Sequence, residues 1–136
     1  MIQQLRIYEI FERNKEAFHA RFRDHAARLM RHHGFRIVDM WESRSERRLE
    51  FVYLLEWESE AARDTAWRAF MSDPEWNAIK RQTSARHGDL VGAISDRTLH
   101  RTDYSPVGLP STLFATRLEG LVRATSPASA RICASR

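Results

Sequence analysis

The sequence contains only one cysteine, Cys133, and it has no long hydrophobic run. A single cysteine excludes an intrachain disulfide framework and a multi-cysteine metal site, so a reducing cytoplasm is the expected location. No window approaches the roughly 18 apolar residues that a membrane helix needs. The N-terminal stretch MIQQLRIYEI also lacks the basic start and apolar core of a secretory signal. We therefore expect an unexported protein without a membrane span.

The short motifs of nucleotide-binding proteins and hydrolases are missing as well. None of GxxxxGK, GxGxxG and GxSxG occurs in the chain. The string Arg86-His87-Gly88 matches the RHG of histidine phosphatases, but no Cys-x5-Arg loop or DxD pair accompanies it. We interpret it as a turn, and we expect no cofactor.

The positive charge of the chain is concentrated in its C-terminal tail, residues 107–136. Four arginines against one glutamate give this tail +3 of the total +4, which leaves +1 for residues 1–106. The alternating charges of that nearly neutral body are typical of solvated helix faces, so we expect no nucleic-acid partner. The tail is rich in Ser, Thr, Ala and Pro, and we expect it to be low-complexity and disordered, with a short helix over 113–123 as the alternative.

The hydrophobic pattern of residues 1–106 predicts one α+β domain with the element order β-α-β-β-α-α′-β. Apolar and polar residues alternate as in strands over 3–11, 35–41, 49–57 and 90–99. The polar stretch 42–48 is short enough for a hairpin loop, so the second and third strands are expected to be antiparallel.

Three helical segments separate these strands. Asn14 is suited to cap the first helix, which is expected to end at about His33 with Gly34 in the left-handed conformation. Ser59 caps a second helix, and a third begins at Pro74. The inward stripe of the first helix has residues spaced three and four apart: Phe18, Phe22, Ala26, Leu29 and His33.

Helices cover only one face of such a four-stranded antiparallel sheet. Val38 and Met40 nevertheless alternate with Ile37 and Trp41, so both faces carry apolar groups. A sheet side in contact with solvent is usually polar. We therefore predict a ferredoxin-like βαββαβ protomer that packs its second face on another copy, which gives a dimeric α/β barrel. The alternative is that these residues are tolerated surface hydrophobics.

Five stretches of residues 1–106 together resemble the NIPSNAP family. They are LRIYEI, NKEAFHARFRDHAARLMRHHGF, YLLEW, residues 61–80 and TDYSP. The resemblance implies a ferredoxin-like protomer in a dimeric α/β barrel, similar in shape to antibiotic-biosynthesis monooxygenases and stress-responsive dimeric barrel proteins. Biochemical activity across this family is poorly defined, so the resemblance implies an architecture and no particular reaction.

His25 is the candidate catalytic residue. It falls on the inward stripe between Phe22 and Leu29, where it is expected to face the sheet. An imidazole titrates near neutral pH and serves as base, acid or ligand. The alternative is a histidine that hydrogen-bonds a strand carbonyl. We expect no metal site on this helix, since about 10 to 12 Å separates His25 from His32 and His33.

Aromatic side chains form the other candidate set. Small apolar ligands are bound by aromatic walls that carry a few polar tips. In the alternative, such residues are core or dimer contacts. The candidate ligand-binding residues are Tyr8, Phe22, His25, Trp41, Tyr53 and Trp67.

These observations leave two functions open. The first is a non-enzymatic NIPSNAP-type homodimer, whose cleft between helix and sheet binds a small apolar ligand or whose surface binds a protein partner. The second is a cofactor-independent monooxygenase or isomerase acting on an aromatic or polyketide-like small molecule, with His25 as the proton-transfer group. The second function rests on an analogy of barrel shape.

Overall fold

The structure is a computed structural model that describes residues 1–106. The helices and strands given below belong to one unit, Met1–His100. The C-terminal tail, with the helix considered at 113–123, lies outside the described residues. Residues 101–106 contain a turn in which the amide of Ser105 donates to the carbonyl of Thr102 over 3.1 Å.

Four strands form one antiparallel sheet. They are β1 (Ile2–Ile10), β2 (Arg36–Arg44), β3 (Leu49–Trp57) and β4 (Val91–Leu99). Their spatial order is β2-β3-β1-β4, which is the ferredoxin-like arrangement. The predicted strands are confirmed, and β3 matches residue for residue. The hairpin loop after β2 is shorter than predicted, because β2 pairs with β3 as far as residue 44.

Helices cover one face of this sheet. After a 3-10 turn at Glu12–Asn14, the first helical region comprises α1 (Lys15–Arg21), a π-helical turn (Phe22–Ala26) and α2 (Ala27–His32). Two further helices, α3 (Glu60–Met71) and α4 (Pro74–His87), connect β3 to β4. None of the helices within residues 1–106 is long and apolar enough to cross a membrane.

Most of the predicted helix ends are confirmed. Gly34 follows the first helical region with a φ of 88°, and Gly88 follows α4 with a φ of 76°. Arg86 and His87 are the last two residues of α4, so the prediction that the RHG string is a turn is wrong except at Gly88, where the helix ends. The Ser59 hydroxyl accepts from the amide of Ala62 over 3.1 Å at the start of α3. The Asp73 carboxylate caps α4 in the same way. Local sequence therefore determines where these helices begin and end.

Strand alternation gives the sheet a helix-covered face and an open face. The helix-covered face contains the buried side chains of β3, namely Leu49, Phe51, Tyr53, Leu55 and Trp57. The side chains between them point the other way. Side chains of β1, β2 and β4 that share this direction lie beside them on the open face. The apolar centre of the open face consists of Leu5, Ile7, Trp41, Val52, Leu54 and Leu99.

Asn14 does not cap the first helix with its side chain, and that expectation is wrong. It precedes α1, but the buried amide group turns away from the helix. Its Nδ2 atom donates to the carbonyls of His87 over 3.0 Å and Asp89 over 2.9 Å. The two carbonyls lie at the turn between α4 and β4, and leaving them unpaired in the protein interior would cost more free energy than leaving the helix end uncapped. Water can replace the missing cap bond.

We expect Asn14→Asp to lower the free energy of unfolding by about 1 to 3 kcal/mol, because a carboxylate cannot donate to those two carbonyls. If Asn14 acted as a helix cap, aspartate would replace it at no cost. Urea unfolding followed by circular dichroism measures the difference. Asn77→Asp is the matched control, because Asn77 is less buried and bonds a single carbonyl, that of Met71. Equal stability of Asn14→Asp and the unsubstituted protein would show that the two hydrogen bonds from Asn14 do not stabilise the fold.

Candidate functional site

Tyr8, Phe22 and Tyr53 lie together on the helix-covered face. The ring centroids of Tyr8 and Tyr53 are 5.3 Å apart, and that of Phe22 is 5.2 Å from Tyr53. The hydroxyls of Tyr8 and Tyr53 share a hydrogen bond of 2.5 Å. We call these two tyrosines the phenol pair. Burial, together with the neighbouring Tyr8 phenol, raises the pKa of Tyr53. The Tyr53 hydroxyl is therefore neutral at physiological pH.

Arg6 connects the phenol pair to the edge strand β4. Its guanidinium donates to the Tyr8 hydroxyl over 3.2 Å and contacts the Asp96 carboxylate at 2.6 Å. It also lies 4.5 Å from the ring centroid of Trp67. Burial by itself would lower the pKa of Arg6, but the phenols of Tyr8 and Tyr53 raise it above the ordinary value. The cluster therefore holds a permanent positive charge beside the neutral Tyr53 phenol.

Gln4 brings Trp67 into the same network. Its Oε1 atom accepts from the indole of Trp67 over 2.8 Å and from that of Trp57 over 2.9 Å. Its Nε2 atom donates to Asp96 over 2.8 Å. Gln4 is buried, so these bonds replace water for its side-chain amide. The structure thus unites four of the aromatic candidates and Trp57 around Arg6 and Gln4.

Trp41 lies on the opposite side of the sheet from this network. It is 46% exposed and pairs with Val52 on the open face. An irregular register between Ile37 and Asp39 places Met40, not Trp41, opposite Tyr53 on the helix-covered face. The expectation that Trp41 shares a site with the phenol pair is therefore wrong, because alternation alone does not show which set of side chains the helices cover.

A cleft of about 410 Å³ opens between the first helical region and strands β2 and β3. We call it the helix–sheet cleft. Its apolar lining comes from Phe22, Ala27, Met40 and Phe51. The rings of Phe22 and Phe51 are 4.7 Å apart, and Phe51 is 5.6 Å from Tyr53. The phenol pair therefore lies behind the floor of this cleft.

Basic side chains form the rim of the helix–sheet cleft, namely His19, Arg23 and Arg31. His19 contacts Glu42 at 2.9 Å, and Lys15 contacts the same carboxylate at 2.9 Å. The hydrogen bonds from Lys15 and His19 lower the pKa of Glu42. Arg31 has no ion-pair partner within residues 1–106. Arg23 is paired with Asp24, so Arg31 is the rim cation that attracts an acidic group.

His25 does not face the sheet, and that expectation is wrong. It lies in a separate groove between the first helical region and α4, beside Arg21, Thr83 and His87. The π-helical turn explains the difference, because its bond from the Ala27 amide to the Phe22 carbonyl adds a residue to the turn. The added residue rotates His25 away from the position that a regular α-helix gives it. The Nδ1 atom of His25 is buried and bonds no strand carbonyl.

The chemistry available in the helix–sheet cleft is apolar contact and hydrogen bonding to an anion. Within the part of the chain that the structure describes, no group of three or more His, Cys, Asp or Glu side chains is placed to hold a metal ion. An apolar floor with basic side chains at its edge fits a small amphiphilic acid.

The NIPSNAP family model matches residues 3–106, which is most of the chain. The chain belongs to the NIPSNAP family. The match covers the sheet, the helices and the helix–sheet cleft, so the predicted family is confirmed. No curated protein matches the sequence at a significant level.

Solved structures of NIPSNAP proteins share this fold. An uncharacterised NIPSNAP-like domain protein from Burkholderia xenovorans is 20% identical, with a TM-score of 0.66 over 80% of this chain and 90% of its own. A NIPSNAP family protein from Agrobacterium tumefaciens is 18% identical, with a TM-score of 0.67 over 78% and 97%. An antibiotic biosynthesis monooxygenase is 12% identical, with a TM-score of 0.51 over 75% and 99%. At these identities the likeness shows the fold alone.

Sequence reasoning missed Arg6, Gln4 and Asp96 as members of the network. A signal for Arg6 was present, because it stands two residues before Tyr8 in a strand and therefore shares its face. The same alternation places Gln4 on that face. Asp96 had no such signal, since only the register of β4 against β1 brings it opposite Arg6.

Proposed function

We propose that this NIPSNAP protein is a homodimer that binds a small apolar molecule with an acidic group in the helix–sheet cleft. The observation that carries the proposal is the combination of an apolar floor, which includes Phe22, Met40 and Phe51, with the basic rim. The floor excludes water from an apolar ligand body. The rim then selects an acidic group, because no carboxylate of residues 1–106 pairs with Arg31.

The homodimer is supported by the open face of the sheet. Val52 stands at its centre, directly opposite Ile7 on one neighbouring strand and Trp41 on the other. A second copy related by a twofold axis would cover the same patch on both protomers. Charged residues flank this centre, with Arg36 opposite Glu56 at one end of the β2–β3 pair. An apolar centre with a charged rim is typical of protein interfaces.

Binding is favoured over catalysis by the position of the proton-transfer candidates. His25 lies outside the helix–sheet cleft, and the Tyr53 hydroxyl is buried behind the floor. A cofactor-independent monooxygenase or isomerase would need a proton donor or acceptor in reach of its substrate.

The fluorescent probe 1-anilinonaphthalene-8-sulfonate tests the binding proposal, because it joins an aromatic body to an acidic group. We expect the folded protein to bind one probe per chain. Met40→Asp should weaken binding about tenfold or more, since a carboxylate on the floor must be desolvated and repels the sulfonate. Fluorescence titration gives the affinity, and circular dichroism checks that each variant is folded.

Met71→Asp is the matched control, because Met71 is an exposed methionine at the end of α3 and does not line the cleft. It should bind the probe as the unsubstituted protein does. Probe binding that survives Met40→Asp, or that Met71→Asp removes equally, would contradict the helix–sheet cleft as the binding site.

A further inference from the structure

The groove that contains His25 is a second concave site, separate from the helix–sheet cleft. It has a volume of about 300 Å³ and lies between the first helical region and α4. Arg21 and His25 line it from one side, and Arg86 and His87 line it from the other. We call it the interhelical groove. The two clefts have no lining residue in common.

Arg21 is a cation without a counter-ion in this groove. Among residues 1–106 its guanidinium forms no ion pair and no side-chain hydrogen bond, and it lies 5.4 Å from the ring centroid of Trp76. Burial lowers the pKa of Arg21, although the Tyr8 phenol partly offsets this effect. An arginine normally satisfies its planar set of donors with a carboxylate or a phosphate. Arg21 therefore has donors to offer a ligand.

Further positive charge lies close to Arg21. Lys80 stands over the same Trp76 ring at 5.7 Å, and burial together with the charge of Arg21 lowers the pKa of Lys80. Arg86 adds a third cation from the last turn of α4. Repulsion among these three cations raises the free energy of the folded protein. A bound anion would reduce that repulsion.

Among residues 1–106, Asp24 is the one carboxylate that lines the interhelical groove, and it is already neutralised. Arg23 donates to both of its oxygens, over 2.8 Å and 3.1 Å. These hydrogen bonds from Arg23 lower the pKa of Asp24, so the pair stays ionised and contributes no net charge. His25 also lines the groove, and its buried Nδ1 atom has no hydrogen-bond partner within the described chain.

We propose that the interhelical groove binds a phosphate group, held between Arg21 and Arg86 with Lys80 nearby and with the His25 imidazole as a further polar contact. Phosphate fits better than a carboxylate because it carries more charge and more acceptor oxygens. Two guanidinium groups on facing helices present their donors to opposite sides of a tetrahedral anion. The groove is large enough for free phosphate or for the phosphate of a small ester.

The test is the shift in melting temperature that inorganic phosphate causes at constant ionic strength, with chloride as the reference salt. We expect phosphate to raise the melting temperature and chloride to have no such effect. Phenyl phosphate and benzoate are the further arms. Stronger binding of phenyl phosphate than of inorganic phosphate assigns the groove to an ester, and the reverse assigns it to the free ion. Benzoate acting as well as either phosphate would overturn the assignment to a phosphate group.

Variants locate the effect in the groove. Arg21→Gln with Arg86→Gln should weaken the apparent affinity for phosphate about a hundredfold, and Arg86→Gln alone about tenfold, because each removes a charge-assisted contact. Arg81→Gln is the control, since it makes the same change on exposed α4 surface outside the groove. Arg86 is exposed, so Arg86→Gln is expected to fold and can be tested even if the variant that also replaces Arg21 unfolds.

Two results from the variants would also overturn the proposal. One is a phosphate response that Arg86→Gln leaves unchanged, and the other is a response that Arg81→Gln weakens as much as Arg86→Gln does. His25→Gln should weaken phosphate binding by less than Arg86→Gln. Met40→Asp, which changes the helix–sheet cleft, should leave the phosphate response intact, so failure at one site is distinguishable from failure at the other.

Discussion

Val52→Asp should convert the proposed homodimer to a monomer while leaving the protomer folded. Val52 is at the centre of the open face, between Ile7 and Trp41. In an isologous dimer the substitution is present in both protomers, so the interface would bury two carboxylates. Each buried charge would cost several kcal/mol. A loss of about 4 kcal/mol corresponds to about a thousandfold weaker association.

Sedimentation velocity and light scattering measure this change in mass. The unsubstituted protein should show twice the 16.0 kDa chain mass, and Val52→Asp should show the mass of one chain. Ile94→Asp is the matched control, because Ile94 is an exposed β-branched residue on β4 whose side chain belongs to the other face of the sheet. A monomeric unsubstituted protein, or a Val52→Asp variant that stays dimeric, would contradict the open-face dimer.

Gln4→Leu should lower the free energy of unfolding by about 2 to 5 kcal/mol, because it leaves two indole N–H groups without an acceptor. Gln4 accepts from Trp57 and Trp67 and donates to Asp96. Leucine fills a similar volume, so the loss reports the hydrogen bonds more than the packing. Urea unfolding followed by tryptophan fluorescence measures the stability and shows whether the indoles become exposed.

Gln3→Leu provides the control for this substitution. Gln3 is equally buried on the neighbouring position of β1, but it makes one side-chain bond, to Glu56 over 3.2 Å. Glu56 keeps its ion pair with Arg36 when Gln3 is replaced. We therefore expect Gln3→Leu to cost about 1 kcal/mol. Similar losses for both variants would show that the indole bonds to Gln4 contribute little.

The elements of the sheet could be predicted because each strand carries its own alternating pattern. Strand β3 is the clearest case, since its five buried side chains fall on every second residue from Leu49 to Trp57. The first helical region shows where this reasoning fails. Its inward stripe is confirmed at Phe18, Phe22, Ala26 and Leu29, which are all buried. His25, within the π-helical turn, lies instead in the interhelical groove.

The sequence by itself determined the order of the strands and helices, most of their ends, and the presence of apolar residues on both sheet faces. These are properties of neighbouring residues, because hydrophobic periodicity, caps and glycine turns act over a few positions. The sequence also supported membership of the NIPSNAP family. Tyr8, Phe22 and Tyr53 could be proposed together because aromatic residues of adjacent elements tend to meet in a core.

Tertiary structure alone decided which side chains share a site. The pairing of β4 with β1 brings Asp96 to Arg6, although the two residues are far apart in the chain. The irregular register of β2 turns Met40 toward the helices and leaves Trp41 on the open face. Register and helix rotation depend on contacts between distant segments, which a local pattern does not contain.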